Sequence, residues 1–551
     1  MVPLPPAPVT PYHCRMTNSS RHPLISGALV TGLGTLLSRL LGMVRDMATA
    51  SILGLAGSPV MDAFVIAYRI PNLFRRLFGE GALTASYLPV LAAELERDRR
   101  HAWHLASVML SWVTVLLTGL VLLGELLILL AWWLLGELPG MPLLLGLSAT
   151  LLPYLMLICL AAQLSATLHA LQHFAVPALA PIVLNVCWLA AAWLVCPYLK
   201  PNQEAQAYAI AASIIVAGVL QVAVQVPVLR RLGFRFHYHW PAAKEGMRRV
   251  GRTLTPMLFG LAITQINTFF DSVIAWGMAR AHDGPERIHW LGDLIRYPLD
   301  QGAVAALYYG ERMYHFPLGI LGLAVAAAIF PLLSRHAARG DREALGADLS
   351  LGLRLVVSLG VPAGVGLVLL AHPLTQLLFE RGQFTPDDTV RAARVIASYG
   401  LGVWAFCALP VAVRGFYSLG DSGTPVRIGV GAMFLNLTLN LTLIWPLAER
   451  GLAIATSISA SVQVIVLLLV FSRRESRLRW PELAATSART LAASAVMGAV
   501  CLALLSSVPP TKGLGNELAR VFLPMTAGAA AYAVVFRLLG GRELWLLVRQ
   551  R

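Results

Sequence analysis

Residues 38–89 read SRLLGMVRDMATASILGLAGSPVMDAFVIAYRIPNLFRRLFGEGALTASYLP, and the reading of this stretch decides the fold class. It is apolar enough to belong in lipid, yet it carries Arg39, Arg45, Asp46, Asp62, Arg69, Arg75, Arg76 and Glu80. An ionised side chain at bilayer depth costs roughly 2.5 kcal/mol or more, so each of these groups should face a watery cavity or a partner. The arginines outnumber the acids, which predicts a chamber with positive charge to spare for an anion. Guanidinium is planar, always charged and bidentate, so a phosphate-bearing substrate is the expected occupant.

The rest of the chain has the same apolar character. Of its 551 residues 57% are hydrophobic and only 13% charged, against about 25% charged in soluble domains. Fourteen apolar segments of about 20 residues or more lie between residues 25 and 540, each long enough to span. The expected fold is therefore an all-α polytopic membrane protein of about fourteen transmembrane helices. No run of alternating apolar and polar residues supports a β-barrel. The formal charge of +15 sits mainly in short loops between apolar segments, which argues for membrane orientation rather than nucleic acid.

Those loops alternate. Arg97, Arg99 and Arg100 form one basic group; Arg230, Arg231, Arg235, Lys244, Arg248 and Arg249 a second; Arg335, Arg339 and Arg342 a third; Arg473, Arg474, Arg477 and Arg479 a fourth. Each follows an even-numbered segment, which puts both termini in the cytoplasm and the long loop 281–301 outside. A faint repeat is also present. Arg69 to Pro89, ending TASYLPVLA, echoes Arg312 to Pro331, ending AAAIFPLLS, and VPALAPIVLN (176–185) echoes TPVRIGVGAMFLN (424–436). The expected division is an N-terminal extension over 1–23, a six-helix lobe over 24–229, a pseudo-symmetric six-helix lobe over 230–472, and two C-terminal helices over 473–551. Substrate sites in such repeat architectures lie between the halves. Residues 1–23 show no cleavage pattern of a signal peptide, and Met16 is an alternative start.

On segment 1, Arg39 and Arg45 point about 120° apart on an ideal helix, and a bend at Gly42 would bring both to one chamber. On segment 2, Asp62, Arg69 and Arg76 recur at steps of seven and share a face, with Pro71 distorting the backbone between them. Arg75 points elsewhere, and a cytoplasmic helix end is the plainer role for Arg75, Arg76 and Glu80. In the second half YYGERMYHFP sets Glu311 and Arg312 deep in an apolar stretch, with Arg312 facing segments 1 and 2. A second cluster joins Asn436 and Asn440, one turn apart, to Thr456 and Asp271. One carboxylate with neutral oxygens suits sodium; interhelical hydrogen bonding is the plainer account. No other cofactor is expected. The six cysteines lack metal-ligand spacing, His169 and His173 lack an HExxH glutamate, and Walker A and GxSxG patterns are missing. The acids of the long loop, Asp283, Glu286, Asp293 and Asp300, alternate with Arg287 and Arg296 without a metal-ligand pattern, which disfavours a membrane glycosyltransferase.

SRLLGMVRD, DAFVIAYRIPNLFRRLFGEGALTASYLPVLA, YYGERMYHFPLGILGLAVAAAIFPLLS and FYSLGDSGTPV together resemble the MurJ (MviN) family of lipid II flippases, within the multidrug/oligosaccharidyl-lipid/polysaccharide exporter superfamily. The resemblance runs from about residue 24 to the end. It implies a fourteen-helix fold, two six-helix lobes around a cationic cavity, and a last helix pair that helps form a groove for the undecaprenyl tail. The implied activity is movement of lipid II from the cytoplasmic to the periplasmic leaflet of the bacterial inner membrane for cell-wall synthesis, by alternating access and not by catalysis. Its implied partners are lipid II and membrane lipids, with contact to the peptidoglycan synthesis machinery and a monomeric state. Matched motif by motif, it places the cavity arginines at Arg39, Arg45, Arg75 and Arg312, with Ser38 and Asp62 beside them. It therefore favours Arg75 over Arg76, while Arg69 stays a substrate-binding candidate from its spacing. His315 departs from the pattern, standing where an acid is expected, and the 281–301 loop is longer than usual. Alternative cargoes are another lipid-linked oligosaccharide or, for a multidrug antiporter, a cationic drug, which the arginine surplus disfavours.

Overall fold

A long apolar segment in lipid has only its own backbone to satisfy its N–H and C=O groups, and helices are the outcome. The computed structural model describes residues 18–543 apart from 58, 76, 78–81, 281–285, 291–292, 476–477, 510 and 512. Arg76, Glu80, Asp283, Arg477 and most of the N-terminal extension lie outside the described residues. The first half comprises α1 (Asn18–Leu53), α2 (Val60–Phe74), α3 (Ala82–Arg97), α4 (Arg99–Leu135), α5 (Met141–Ala170), α6 (Ala175–Ala190) and α7 (Gln203–Arg231). Next come α8 (Trp240–Gly277), α9 (Ala303–Pro317), α10 (Leu323–Arg339), α11 (Arg342–Phe379), α12 (Pro386–Gly400) and α13 (Val403–Ser418). The series closes with α14 (Gly423–Leu447), α15 (Glu449–Arg474), α16 (Trp480–Ser507) and α17 (Leu514–Leu538).

Polar punctuation sets the ends that leave the apolar zone. Asp98 accepts from Arg100 N at 2.8 Å before α4, Asp341 accepts from Ala344 N at 3.0 Å before α11, and Thr385 and Asp388 form a reciprocal capping box on α12. The outer faces are apolar: on α4, Leu126, Leu129 and Trp133 are exposed, as expected of lipid-facing side chains. Among the described residues, ten helices or continuous helical runs are long and apolar enough to cross a membrane, and eleven if α12 and α13, bent by 41°, count as one span. That is fewer than the fourteen expected. The remaining three expected segments are α1, α2 and α8, helical but outside that tally; α2 has only 15 residues.

Inside the first half α1 packs on α6, while α5 is gripped by α2, α4 and α7. In the second, α11 is central, against α12, α13 and α16, with α14 paired to α15 and the α16–α17 hairpin docked on its outside. The halves meet where α2 touches α8 and α9, and where α8 touches α3 and α4. The sequence echo has a backbone counterpart: α9 passes through a π turn (Leu318–Gly322) into α10, and α2 is followed by π-type backbone at Arg75 and Leu77 before α3. The long loop after α8 carries two short strand pairings. Ala279–Arg280 pairs in parallel with Leu299–Asp300, and Arg287–Trp290 pairs antiparallel with Asp293–Arg296. Arg391 of α12 holds this excursion to the helices, donating to the carbonyls of Asp300 and Gln301 and to Glu449.

Candidate functional site

Three helices that carry charge in apolar surroundings, α1, α2 and α9, converge with α6 on one cavity of about 370 Å³. Ser38, Arg39, Arg45 and Asp46 line it from α1, Asn185 from α6, Arg312 and His315 from α9, and Arg75 from just beyond α2. Arg39, Arg45, Arg75 and Arg312 thus share one chamber, with Asp46 the single acid among the described residues of its lining. No bend at Gly42 is needed: α1 is one unbroken helix, and Gly42 itself lines the wall.

The chamber is organised by Asp46, which is 3% exposed. Arg45 Nη2 and Nε approach Asp46 Oδ1 at 2.8 and 3.1 Å, and Arg312 Nε stands 3.0 Å from Asp46 Oδ2. Tyr308 OH donates to Asp46 Oδ1 at 3.1 Å and accepts from Arg312 Nη2 at 2.8 Å. Arg45 also donates to Asn185 Oδ1 at 3.1 Å and lies over the ring of Trp188, 4.6 Å from its centroid. Asn185 Nδ2 donates in turn to the Ser38 carbonyl at 3.0 Å, tying α6 to α1. Arg45, Asp46 and Arg312 form a clamp with one net positive charge, preorganised by neutral donors and rings. Arg39 is exposed at the cavity and lies against the π turn after α9. A Cβ at Gly319 would come within 2.5 Å of its guanidinium, which would have to move aside for a side chain there.

Two residues grouped with these arginines on sequence grounds take other positions. Asp62 does not line the chamber. Its Oδ2 accepts from Gly302 N and its Oδ1 from Ala305 N, both at 2.7 Å, so it caps α9 from across the interface between the halves. The N-cap residue of the helix is Gly302, whose φ of 90° and close approach to the Leu55 carbonyl leave no room for a side chain. Arg69 lies beside the chamber in a smaller pocket, with both terminal nitrogens engaged: Nη2 donates to Glu311 Oε2 at 2.9 Å and Nη1 to the Thr268 carbonyl at 3.0 Å. The step of seven that grouped them reported a shared helix face, and that face meets α8 and α9 rather than the cavity. Asn185, Tyr308 and Trp188 were missed. Asn185 did stand at the end of the VPALAPIVLN echo, opposite Asn436, a position signal that spacing alone did not turn into a role.

The second cluster assembles as its spacing suggested. Asp271 of α8, Asn436 and Asn440 of α14 and Thr456 of α15 meet in the interior. Asn440 Nδ2 donates to Asp271 Oδ1 at 2.6 Å, Thr456 Oγ1 donates to Asp271 Oδ2 at 3.3 Å, and the Asn436 amide packs 2.9 Å from Asn440 Nδ2 and 3.2 Å from Thr456 Oγ1. Asn440 Oδ1 is buried without a hydrogen-bond partner. An all-oxygen donor set with one carboxylate and an orphaned carbonyl oxygen fits a hard monovalent cation. Among the described residues no group of three His, Cys, Asp or Glu is placed to hold a metal ion.

A sequence profile described as lipid II flippase MurJ matches residues 49–523. A probable lipid II flippase MurJ of Vibrio cholerae is 34% identical over 461 residues, 81% of this chain and 82% of its own. Another, from Rhizobium tropici, is 31% identical over 543 residues and 96% of each chain. Among solved structures, a lipid II flippase MurJ in an inward closed conformation superposes with a TM-score of 0.72 at 19% identity, over 94% of this chain and 99% of that one. An inward-facing multidrug resistance MATE transporter of the MOP superfamily reaches 0.63 at 14% identity, over 79% and 94%.

Proposed function

The chain belongs to the MurJ family of lipid II flippases, and from that premise we propose that it moves lipid II between the leaflets of the membrane it spans, as a transporter and not an enzyme. The observation that carries this reading is the convergence of Arg39, Arg45, Arg75 and Arg312 on one cavity with a single acid among the described residues of its lining. A pyrophosphate brings charge enough to engage several guanidinium groups at once, and their forks match its oxygens. Asp46 holds Arg45 and Arg312 in register while the anion is away and keeps their mutual repulsion tolerable. A cationic drug would meet like charge at the same place, so the MATE likeness is one of fold.

Alternating access follows from what ties the halves together. Asp62 on α9, and Arg69 on Glu311 and on the Thr268 carbonyl, hold α2 against the second half. Opening that side requires these contacts to part, and the anion drawing Arg312 away from Asp46 supplies a trigger within the same helix. The direction is from the cytoplasmic to the periplasmic leaflet of the bacterial inner membrane, with both termini cytoplasmic. The empty cationic chamber returns inward down the membrane potential, worth about 2.3 kcal/mol per charge per 100 mV. Sodium at Asp271, Asn436, Asn440 and Thr456 adds a second source of coupling. The undecaprenyl tail stays in lipid along an apolar groove of about 540 Å³ between α11, α13, α15 and α16, with Val361, Trp404, Leu468 and Leu491 in its wall. The protein works as a monomer that delivers its cargo to the peptidoglycan synthesis machinery.

The test is complementation of a strain depleted of its own lipid II flippase, with the leaflet distribution of lipid II measured directly. Restored growth with lipid II reaching the outer leaflet is expected. Growth failure by a well-expressed protein, or translocation of a different lipid-linked oligosaccharide only, would overturn the assignment of cargo.

A further inference from the structure

At the basic end of the first half, away from the arginine chamber, lies a slot of about 540 Å³. That is within the range of about 300–1,000 Å³ typical of small-molecule sites. Its interior is apolar, lined by Leu110 of α4, Leu164 of α5, and Val226 and Leu229 of α7. Its mouth has a different character: Arg230 and Arg235 line it, both exposed, beside the exposed ring of Phe236. The slot opens at the last turn of α7, where the chain leaves the apolar zone and enters the most basic loop of the sequence.

The wall at the mouth is firmly built. Residues 233–239 are not helical but lie along α4. Phe234 meets Trp103 edge-on with 5.4 Å between ring centroids, His237 N donates to the buried Ser107 Oγ at 3.0 Å, and His104 Nδ1 stands 3.1 Å from the His237 carbonyl. Alternate residues turn outward: Phe236 and Tyr238 are 56% and 55% exposed. Trp112 and Trp240, also exposed, touch at 5.8 Å and extend the aromatic rim. Amphipathic rings of this kind mark the depth of lipid headgroups.

We propose that this slot is a binding site for one anionic glycerophospholipid of the surrounding leaflet, with an acyl chain in the apolar interior and the phosphate between Arg230 and Arg235. An amphiphile is the occupant that satisfies both parts. A free anion would leave the apolar depth unfilled, and a neutral hydrocarbon would leave two cations without a counter-charge. Basic pockets between helices at a membrane face commonly hold acidic headgroups. The occupied slot braces the linker that joins α7 to α8, and α8 carries Thr268 and Asp271 toward the interface between the halves. The site thus places acidic lipid where it steadies the connection between them.

The full-length protein, purified in neutral detergent and freed of lipid, is titrated with dioleoyl phosphatidylglycerol, dioleoyl phosphatidylcholine or inorganic phosphate, and lipid adducts are counted by native mass spectrometry. Phosphatidylglycerol should bind about tenfold or more tighter than phosphatidylcholine, with a rise in melting temperature that inorganic phosphate does not reproduce. The double variant Arg230→Gln/Arg235→Gln should lose the preference, and Val226→Trp, which fills the slot from a half-buried position, should lose the adduct. Arg45→Ala, altered in the chamber, should retain it. Undiminished preference in the double variant, an undiminished adduct in Val226→Trp, equal stabilisation by inorganic phosphate, or loss of the adduct in Arg45→Ala would each overturn the proposal.

Discussion

Asp46 touches Arg45, Arg312 and Tyr308 at once, so removing it leaves two guanidinium groups facing each other with no intervening charge. Breaking a buried ion pair by deleting one partner costs about 3–5 kcal/mol, and Asp46→Ala is expected to lower the melting temperature sharply while leaving the chamber more cationic. Arg45→Ala and Arg312→Ala each leave Asp46 its other arginine and Tyr308, so they should cost less stability than Asp46→Ala, yet each should abolish complementation at normal expression because an anion bridging the two helices loses one of its holders. Lysine at either position should rescue only in part, since a point charge cannot replace a bidentate fork. Growth at the wild-type rate with both alanine variants would remove the shared anion site. The arginines of this site were legible in the sequence because a charge with long apolar flanks has few places to go. The neutral residues that orient them were not, since asparagine and tyrosine are unremarked in apolar helices and only the fold brings position 185 beside position 45. For the same reason Arg69 misled: its partner Glu311 lies 242 positions away, and helix spacing knows nothing of it.

At the scale of elements, the contact of Asp62 with α9 uses each carboxylate oxygen on a different backbone N–H. Asp62→Asn replaces one acceptor by an NH2 group that faces a donor, leaving a buried N–H unsatisfied at about 1–3 kcal/mol. The variant should melt earlier and expose Gly302 to faster amide exchange; unchanged exchange there would mean that the cap is not formed in the working protein. Asp271, Asn436, Asn440 and Thr456 join α8, α14 and α15, so a cation among them should stabilise the second half as a unit. Replacing sodium by a large organic cation should lower the melting temperature of the wild type and leave Asp271→Ala unaffected. Equal behaviour of the two proteins would exclude sodium there. The C-terminal helix pair carries a pH-dependent tie. Burial opposes the charge of Glu543, but the Thr486 hydroxyl, the backbone and Arg354 hold its carboxyl below the ordinary glutamate value. A depressed value means stability that is present above the usual pKa of about 4.3 and lost as pH falls through the folded value. Glu543→Gln should therefore loosen α16–α17 at neutral pH and show less further loss on acidification than the wild type. Apolar runs made these helices visible in the sequence. Their interruptions were not, because a π turn at Leu318–Gly322, a 41° bend between α12 and α13, and two-residue and four-residue strand pairings depend on neighbours rather than on local propensity.

On the whole molecule, loops that follow even-numbered apolar segments touch one another, and so do loops that follow odd-numbered ones. His104 near the start of α4 reaches the carbonyl of His237 in the α7–α8 linker, and Arg342 before α11 pairs with Glu475 after α15 at 3.0 Å. These are the basic loops. At the opposite end Gln383 N donates to the Ser51 carbonyl at 2.9 Å, and Arg391 bridges Asp300 to Glu449. The two sets of contacts give the chain two ends, one rich in arginine and one not, and cytoplasmic retention of Lys and Arg orients them. The chamber requires this arrangement, since α1, α2 and α9 bring their arginines to one level only if both halves enter the bilayer the same way. Residue 292, in the loop after α8, lies outside the described residues, and Gly340 has a φ of 70° that a side chain would strain. Exposed Glu286 and Ala338 serve instead. In a cysteine-free background, Glu286→Cys should react with an impermeant maleimide applied to intact spheroplasts, and Ala338→Cys should react only after the membrane is opened. The reverse pattern would invert the whole molecule and turn the potential against return of the empty chamber. Labelling of both would put the two sites on one side of the membrane, so that the single α9–α10 crossing between them fails, and with it the common level at which Arg45 and Arg312 share Asp46.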